Sequence, residues 1–232
     1  MLALTLINTC AREYQDVAFE RIAKSRSAGA NWLEYLNDAQ RAIVLVRPDA
    51  NPITQSVQLV AGTRQALPSG GLRLLDAVRN TGSAGTSNGP AVRVVERQSM
   101  DMADRGWHSA PPSITVREVL YDEKKTPLTY FVSPPVPAAP NVYLEIIFSK
   151  TPTDVTDPDA GSITISDVYV PAMQHWMLYR AYAMATQAVN QFQRSNFYFQ
   201  AFFNILGIKL RGDMFTGASA PNIYPQPVNA TR

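Results

Sequence analysis

The hydrophobic period of this chain changes twice, and the change limits the architectures that it can adopt. Up to about residue 50 the apolar residues recur every three or four positions. In one stretch they fall on a single helix face, at Trp32, Leu36, Ala39, Ile43 and Val46. From Asn51 the period falls to two, and after Ser166 it is helical again. This order predicts helices from both ends of the chain around an inserted β region.

Four helices are predicted, and local signals mark several of their ends. The first covers about residues 3–21, and the second covers Trp32–Arg47. Asn31 stands at the N-cap of the second helix with Glu34 three residues later, and Pro48 closes it. The third begins near Ser166. The fourth covers 189–206, with Gly207 as its C′ residue.

The middle of the chain shows short alternating segments separated by Gly- and Pro-rich turns. Such spacing is typical of an antiparallel sandwich or small barrel. The predicted strands are 56–61, 72–78, 91–98, 114–120, 128–132 and 142–148, with a further edge strand at 163–165.

These elements together predict an α+β chain with three parts. An antiparallel helical bundle forms from both chain ends, residues 1–50 and 166–212. An antiparallel β-sandwich or barrel-like domain is inserted at 51–165. An extended C-terminal tail covers 213–232, where three prolines occur without any periodic pattern.

Charge and cysteine content exclude several functional classes. Twenty-one Lys and Arg against nineteen Asp and Glu give a net charge of +2, without the concentrated basic surface of a non-specific nucleic-acid binder. Cys10 is the only cysteine, so we expect a small buried thiol and neither a disulfide framework nor a CxxC metal site. A signal peptide and a membrane span are not expected.

Candidate catalytic and metal-binding residues are few. His108 follows Trp107 near Asp101 and Asp104, which is a possible base with carboxylate partners, but the segment has no Ser or Cys nucleophile. His175 is expected to be a packing residue. Asp157 begins a segment that resembles a calcium loop but has Ser162 and Val168 where Gly and Glu are needed. We therefore predict no catalytic residue, no metal, no cofactor and no small-molecule substrate.

The last predicted helix has aromatic residues on several sides. Its expected core line has spacings of 7, 4 and 3, at Phe192, Phe199, Phe203 and Leu206. Three further aromatic residues fall off that line: Phe197, Tyr198 and Phe202. A helix cannot bury every side in a small monomer, so these three are the candidates for contact with another subunit.

An ordered set of segments resembles one protein family. The segments are LNDAQRAIVLVRPDA from Leu36, GTRQALPSGG from Gly62, LDAVRN from Leu75, AVRVVERQSMD from Ala91, Trp107-His108, YFVSPP from Tyr130 and LYRAY from Leu178. In this order they resemble the head-to-tail adaptor proteins of short-tailed double-stranded DNA bacteriophages, over about residues 10–206. Residues 22–30 are richer in Ser and Gly than the family pattern, and the segment after Gly212 lacks a clear one.

The resemblance implies a structural virion protein of the neck, assembled in the host cytoplasm. Such adaptors form a ring, typically of twelve copies. The ring attaches to the portal protein and receives the tail nozzle, and genome DNA passes through it without sequence recognition. Within LYRAY, Arg180 and Tyr182 are interpreted as packing residues.

The predicted C-terminal tail contains three large apolar or aromatic residues. Phe215, Ile223 and Tyr224 are the candidate anchors of a tail that orders on the portal. The nearest alternative is another connector component, such as a head-completion or tail-tube protein. A virion hydrolase that acts through His108 and a carbohydrate-binding β module that uses Trp107 are the alternatives from other classes.

Overall fold

The computed structural model describes residues 1–25, 31–184 and 189–216, the last of these as backbone alone beyond residue 207. These residues divide into two units. The first unit combines Met1–Ala39, Asp157–Gly161 and the residues from Val168 onward; the second combines Gln40–Thr156 and Ser162–Asp167.

Five α-helices and seven strands make up the described chain. The helices are α1 (Ala3–Glu13), α2 (Trp32–Val46), α3 (Arg97–Ala103), α4 (Val170–Met184) and α5 (Val189–Thr216). The strands are β1 (Pro52–Gln58), β2 (Gly62–Ala66), β3 (Gly71–Asn80), β4 (Arg93–Glu96), β5 (Glu118–Tyr121), β6 (Thr129–Val136) and β7 (Tyr143–Lys150). Short 3-10 turns lie at Pro48–Ala50, Trp107–Ser109 and Asp167–Tyr169. The α+β class predicted from the sequence is confirmed.

The first helix ends earlier than predicted because a buried carboxylate organises the residues after it. α1 stops at Glu13, and Gln15 and Phe19 have positive φ angles of 62° and 56°, which no α-helix allows. The side chain of Asp16, which is buried, accepts hydrogen bonds from the backbone N–H groups of Glu20 (2.9 Å) and Ile22 (2.9 Å), and two from that of Arg21 (3.2 and 3.1 Å). The predicted helix over 3–21 is therefore wrong beyond residue 13.

The second helix begins as its sequence predicts. The backbone N–H of Glu34 donates to Asn31 Oδ1 at 2.8 Å, and Asn31 Nδ2 lies 3.5 Å from Glu34 Oε2. The apolar face is also confirmed at Trp32, Leu36, Ala39 and Ile43, which are buried, but the prediction is wrong at Val46, which is exposed. After the helix ends, Arg47 Nε donates to Asp49 Oδ1 at 2.8 Å.

Aromatic contacts join three helices of the first unit. The ring of Tyr14 lies 5.9 Å from that of Trp32 and 4.9 Å from that of Tyr182, both edge-on. Cys10 of α1 faces α4, with its Sγ 3.9 Å from Met177 Sδ, and burial raises the pKa of its thiol. Cys10 is thus a buried thiol, as predicted. The antiparallel bundle arrangement stays a prediction.

The second unit consists of two sheets around a shared apolar core. The strand orders are β1-β7-β3 and β2-β6-β5-β4, and all neighbours are antiparallel except β4 and β5. Both sheets supply the cluster, which includes Leu74, Leu144 and Phe148 from one and Val119, Tyr130 and Val132 from the other. Among the described strands the sheets do not close into a barrel, and the parallel β4–β5 pair departs from the predicted antiparallel pairing. The bounds 51–165 of the inserted domain stay a prediction.

Several predicted β elements need correction. The sequence does not predict β2, and β6 continues through Pro134 and Pro135, beyond the predicted strand end at residue 132. Residues 97–103 form α3 instead of extending β4, and 163–165 do not form a strand. β6 can contain two prolines because its pairing to β5 covers Glu118–Leu120 only, and Pro134 and Pro135 lie beyond it.

One buried amide joins three parts of this unit. Asn80, at the end of β3, donates through Nδ2 to the carbonyls of Val116 (2.8 Å) and Pro90 (3.1 Å). Its Oδ1 accepts from the Val116 N–H at 2.8 Å. Gly89 is needed beside it, because a Cβ there would lie 2.6 Å from the Asn80 carbonyl oxygen. The last residue of LDAVRN therefore fixes the loop that follows it.

The final helix is longer than predicted. α5 continues through Gly207 to Thr216, so residues 213–216 are helical and do not belong to an extended tail. Gly207 does not end the helix because it does not adopt the positive φ that a C′ glycine takes. In a helix interior a glycine costs only about 1 kcal/mol relative to alanine. Residues 217–232 of the predicted tail lie outside the described residues.

We predict that Asp16→Asn destabilises the chain in a pH-dependent way. Burial alone raises the pKa of Asp16, but the backbone hydrogen bonds from Ile22, Arg21 and Glu20, aided by the nearby Arg21 charge, lower it overall. A lowered folded-state pKa contributes stability above the unfolded-state pKa of about 3.9, and this contribution is lost as pH falls through the folded value. We expect a loss of about 1–3 kcal/mol at pH 7.

Urea unfolding of the wild type and the variant, from pH 7 down to pH 3, measures this difference. Glu20→Gln is the matched control, because it removes an exposed charge from the same loop but keeps the backbone donor. It should change the stability by less than about 0.5 kcal/mol. A difference between wild type and Asp16→Asn that stays constant across this range would contradict the assignment.

Candidate functional site

The pairing of α4 with α5 creates the main aromatic surface of the first unit. Three ring contacts run along it: Tyr182 with Tyr198 (5.6 Å between ring centroids), Tyr179 with Phe199 (5.0 Å) and Trp176 with Phe202 (4.8 Å). The residue numbers rise on one helix as they fall on the other, so the two helices are antiparallel. Ser195 Oγ adds a hydrogen bond to the Tyr179 carbonyl at 3.3 Å.

Two lines of residues on α5 have the same spacing but different environments. Ser195, Phe202 and Leu206 are buried, at spacings of 7 and 4. A second line with spacings of 7 and 4 lies roughly 60° around the helix. We call this second line the phenylalanine stripe. It consists of Phe192, Phe199 and Phe203, whose exposed fractions are 59%, 37% and 43%.

This arrangement corrects the sequence interpretation of α5. The predicted core residues Phe192, Phe199 and Phe203 are exposed, whereas Phe202, predicted to contact another subunit, is completely buried. Both lines satisfy the helical period equally well, so the sequence cannot decide between them. Contact with Trp176 on α4 turns Phe202 inward, which makes it a core residue of the chain.

The other two predicted contact residues lie beside an open pocket. Phe197 is 63% exposed, and Tyr198 is half-buried with its ring parallel to that of Tyr182. The pocket has a volume of about 450 Å³ and is lined by Glu13, Tyr182, Asn190, Gln193, Arg194, Phe197 and Tyr198. Burial, followed by the neighbouring Tyr182, raises the pKa of Tyr198. The pocket combines aromatic rings with one acid and one base, which suits a polar contact with another protein.

Arg180 and Tyr182 of the LYRAY segment are packing residues. Arg180 Nη1 lies 2.8 Å from Asp38 Oδ2 on α2, and its guanidinium lies over the Tyr35 ring at 5.4 Å from the centroid. Tyr182 lies between Tyr14 and Tyr198. Burial raises the pKa of Tyr35 to about 12. Together these side chains hold α4 against α1 and the first half of α2.

The candidate base His108 belongs to a structural cluster of the second unit. Its Nδ1 lies 2.9 Å from the Thr63 hydroxyl, and its ring stacks on Trp107 at 3.6 Å between centroids. Asp101 accepts a hydrogen bond from Trp107 Nε1 at 3.0 Å and one from Arg97 at 3.3 Å. The Trp107 bond is the main cause that lowers the pKa of Asp101. The carboxylate thus holds the indole ring in place, and the histidine packs on that ring.

Four of the segments that carry the family resemblance meet in this cluster, and Thr63 belongs to the one from Gly62. Trp107 lies edge-on to Phe131 of β6 at 6.2 Å, and Arg97 of α3 lies over the same ring at 5.7 Å. The segments from Ala91, Trp107 and Tyr130 are distant in sequence but together cover one side of Phe131. The joint occurrence of these segments in the sequence therefore reflects their packing against one another in the fold.

The remaining candidates lie in turns or beyond the described residues. Asp157 Oδ1 accepts hydrogen bonds from the N–H groups of Asp159 (2.9 Å) and Ala160 (3.3 Å), so this carboxylate organises a polar turn. Within the described ranges, no group of three or more His, Cys, Asp or Glu side chains could hold a metal ion. Phe215 lies in α5, where only the backbone is described, and Ile223 and Tyr224 lie outside the described residues.

Comparison with known protein families identifies the chain. The model of the SU10 adaptor protein family matches residues 1–224, which include all five helices and all seven strands. The chain belongs to the SU10 adaptor protein family. No curated protein matches it. The predicted resemblance to bacteriophage head-to-tail adaptors is thereby confirmed.

Membership in the SU10 adaptor family identifies the chain as a structural component of bacteriophage tail assembly. It implies a non-enzymatic role and contact with other proteins of the virion neck. None of the helices in the described part of the chain is long and apolar enough to cross a bilayer. An adaptor acts through its surfaces, and the aromatic surface of α4 and α5 is the candidate that this structure offers.

We predict that two adjacent phenylalanines of α5 differ sharply in their contribution to stability. Phe202→Ala removes a fully buried ring and should cost about 3–5 kcal/mol. Phe203→Ala removes a ring of the exposed stripe and should cost less than about 1 kcal/mol. Chemical unfolding followed by circular dichroism compares the two variants. Equal losses, or a greater loss for Phe203→Ala, would contradict the helix orientation described here.

Proposed function

We propose that this chain is the head-to-tail adaptor of a short-tailed double-stranded DNA bacteriophage. Twelve copies form a ring between the portal and the tail nozzle, and the genome passes through the ring's channel. The observation that carries the proposal is the match of the adaptor family over residues 1–224, nearly the whole chain. In this proposal the protein assembles in the host cytoplasm and resides in the neck of the virion.

Exposed aromatic surface on α5 supports a role in ring assembly. A closed ring needs head-to-tail interfaces, in which each subunit uses two different patches. Aromatic residues are enriched and charged residues are depleted at the centres of such interfaces. Between residues 190 and 207 of α5 the only charged residue is Arg194. We propose Phe197 and Tyr198 as one subunit-contact patch.

The proposed domain roles follow the predicted division of the chain into helical and β parts. We propose that residues 1–50 and 166–212 build most of the ring, and that the inserted domain 51–165 faces a neighbouring subunit or the tail nozzle. Phe215, Ile223 and Tyr224 are proposed as anchors on the portal. DNA in transit should not bind tightly to the channel wall, and the small net charge of +2 is compatible with a channel that is not strongly basic.

We predict that the protein binds its portal ring in a fixed multiple near twelve. Light scattering of the purified chain, alone and then mixed with the portal, measures the mass of each species. A monomer that becomes portal-bound at twelve copies per ring supports the adaptor assignment. A sixfold ring would favour another connector component, such as a head-completion or tail-tube protein. A chain that does not bind the portal would contradict the proposal.

We also predict that the C-terminal segment contributes to portal binding. Deletion of residues 217–232 leaves α5 intact to its last helical residue, Thr216, and should weaken portal binding at least about tenfold, which corresponds to about 1.4 kcal/mol. Substitution of Ile223 and Tyr224 by Ser in the full-length chain should reproduce most of this loss. Circular dichroism of each variant checks the fold. Unchanged portal affinity after the deletion would contradict the anchor role.

A further inference from the structure

β1 is an edge strand of the second unit, and its outer side is open. In the described part of the chain it pairs only with β7, in a register that continues without interruption from Pro52 to Gln58. An edge strand presents a row of unpaired backbone N–H and C=O groups, and an extended segment of another chain can pair with them. β1 is therefore a possible attachment point for a further strand.

The ends of the β1–β7 ladder show which backbone groups face outward. The N–H of Leu59 donates to the carbonyl of Val142 at 2.8 Å. At the other end, the N–H of Lys150 donates to the carbonyl of Asn51 at 3.1 Å. Because bonding alternates along an antiparallel pair, the odd-numbered residues of β1 bond to β7 and the even-numbered residues face outward. The outward N–H groups belong to Thr54, Ser56 and Gln58. None of these three groups has a hydrogen-bond partner among the described residues.

The other three edge strands of the described sheets have features that prevent such pairing. β2 has a register shift between Gly62 and Arg64, and Arg64 places a charge on it. β4 has only four residues, of which Arg93 and Glu96 are charged. β3 has three register shifts and three charged side chains.

Proteins protect their sheet edges with bulges, short strands, charged side chains and prolines. β1 has seven residues, an unbroken register and no charged side chain. Its only proline is Pro52 at the first position, so the three outward donors remain in place. Among the four edges, β1 is therefore the one that is suited to accept a strand.

The side chains of β1 indicate the chemistry of that strand. Ile53 and Val57 are only partly buried and pack against the core of the second unit. On the opposite face, Thr54 and Gln58 are exposed and uncharged. An added strand with apolar side chains at alternate positions would complete the burial of Ile53 and Val57, and its other face would be polar and uncharged.

A second copy of this chain does not offer such a strand in a ring. Two β1 edges pair with each other about a two-fold axis, because both copies use the same surface, and that contact is complete with two copies. A ring contact instead joins two different patches. Since the other three edges are protected, the strand that pairs with β1 belongs to a different protein.

We propose that an extended, uncharged segment of the tail nozzle protein pairs with the outer edge of β1 and becomes the fourth strand of the β1-β7-β3 sheet. This inference rests on the proposed function, in which the inserted domain faces a neighbouring subunit or the tail nozzle, and it names the strand that receives the nozzle. Main-chain hydrogen bonds to the three outward N–H groups provide affinity. The apolar side chains beside Ile53 and Val57 fix the register.

Residue-resolved amide hydrogen exchange tests the contact on the wild-type chain. In the free protein the three outward amides should exchange at least about a hundredfold faster than those of Gln55 and Val57, which bond to β7. Addition of the purified tail nozzle protein to the portal-bound chain should slow the outward amides at least about tenfold. The amides of Gln55 and Val57 are the internal control and should not change.

Substitutions at position 54 test the same edge through affinity. Thr54→Pro removes one outward donor but keeps the ladder to β7, and it should weaken nozzle binding to the portal-bound chain at least about tenfold. Thr54→Lys places a charge on the edge and should also weaken binding. The matched control Thr54→Val keeps the N–H and the β-branched shape, so it should bind like the wild type. Circular dichroism and urea unfolding check that each variant is folded.

Slow exchange of the outward amides in the free chain would overturn the inference, because the edge would then already be covered. Unchanged exchange after addition of the nozzle, or wild-type nozzle binding by Thr54→Pro and Thr54→Lys, would also overturn it. A dimer of the free chain that Thr54→Pro abolishes would overturn it and assign the edge to a second copy.

Portal binding is measured separately by light scattering, so the inference and the proposed function can fail independently. A chain that binds the portal and the nozzle without any change at β1 disproves only the inference. A chain that does not bind the portal disproves the proposed function, whatever the exchange of the β1 amides.

Discussion

The packing of α4 against α5 is the interaction on which the candidate surface depends. Tyr182, Tyr179 and Trp176 contact Tyr198, Phe199 and Phe202 in turn, and these contacts fix the rotation of α5 about its axis. A helix with aromatic residues on several sides has several possible buried faces. Once Phe202 is buried against Trp176, the phenylalanine stripe is left at the surface. The solvent-accessible chemistry of this helix is therefore a consequence of its partner helix.

Buried polar side chains define the connections around these helices and sheets. The Asp16 carboxylate gathers three successive backbone N–H groups, Asn31 caps α2, and Asn80 pairs with both backbone groups of Val116. Each of these side chains provides a hydrogen-bond partner for backbone groups. A buried backbone group without such a partner costs free energy. The segments that carry the family resemblance therefore contain polar residues, such as Asn80 in LDAVRN, whose role in this chain is to hold the backbone in shape. Their presence in the sequence does not indicate a catalytic site.

The arrangement of the titratable residues agrees with the structural role that the family implies. His108, Asp101 and Trp107 form a packed cluster on Phe131, and Asp157 organises a turn. What the chain presents instead is apolar aromatic surface on a helix with little charge. Such a surface is unfavourable in water unless something covers it. In a subunit of a larger assembly, contact with another protein provides that cover.

The sequence by itself determined the order of the helical and β regions and located several of their elements. The helical period located α2 and its apolar face, the alternation located β3 and β7, and the ordered segments identified the adaptor family, because these signals are local or depend on residue order alone. Tertiary structure decided where two helices end and which face of α5 is buried, because local signals do not determine these features. α1 ends early because a carboxylate three residues later gathers the following loop, and α5 passes Gly207 because nothing there requires a positive φ. It also decided which line of α5 is buried: two lines with the same spacing are equivalent in the sequence, and only contact with Trp176 makes them different.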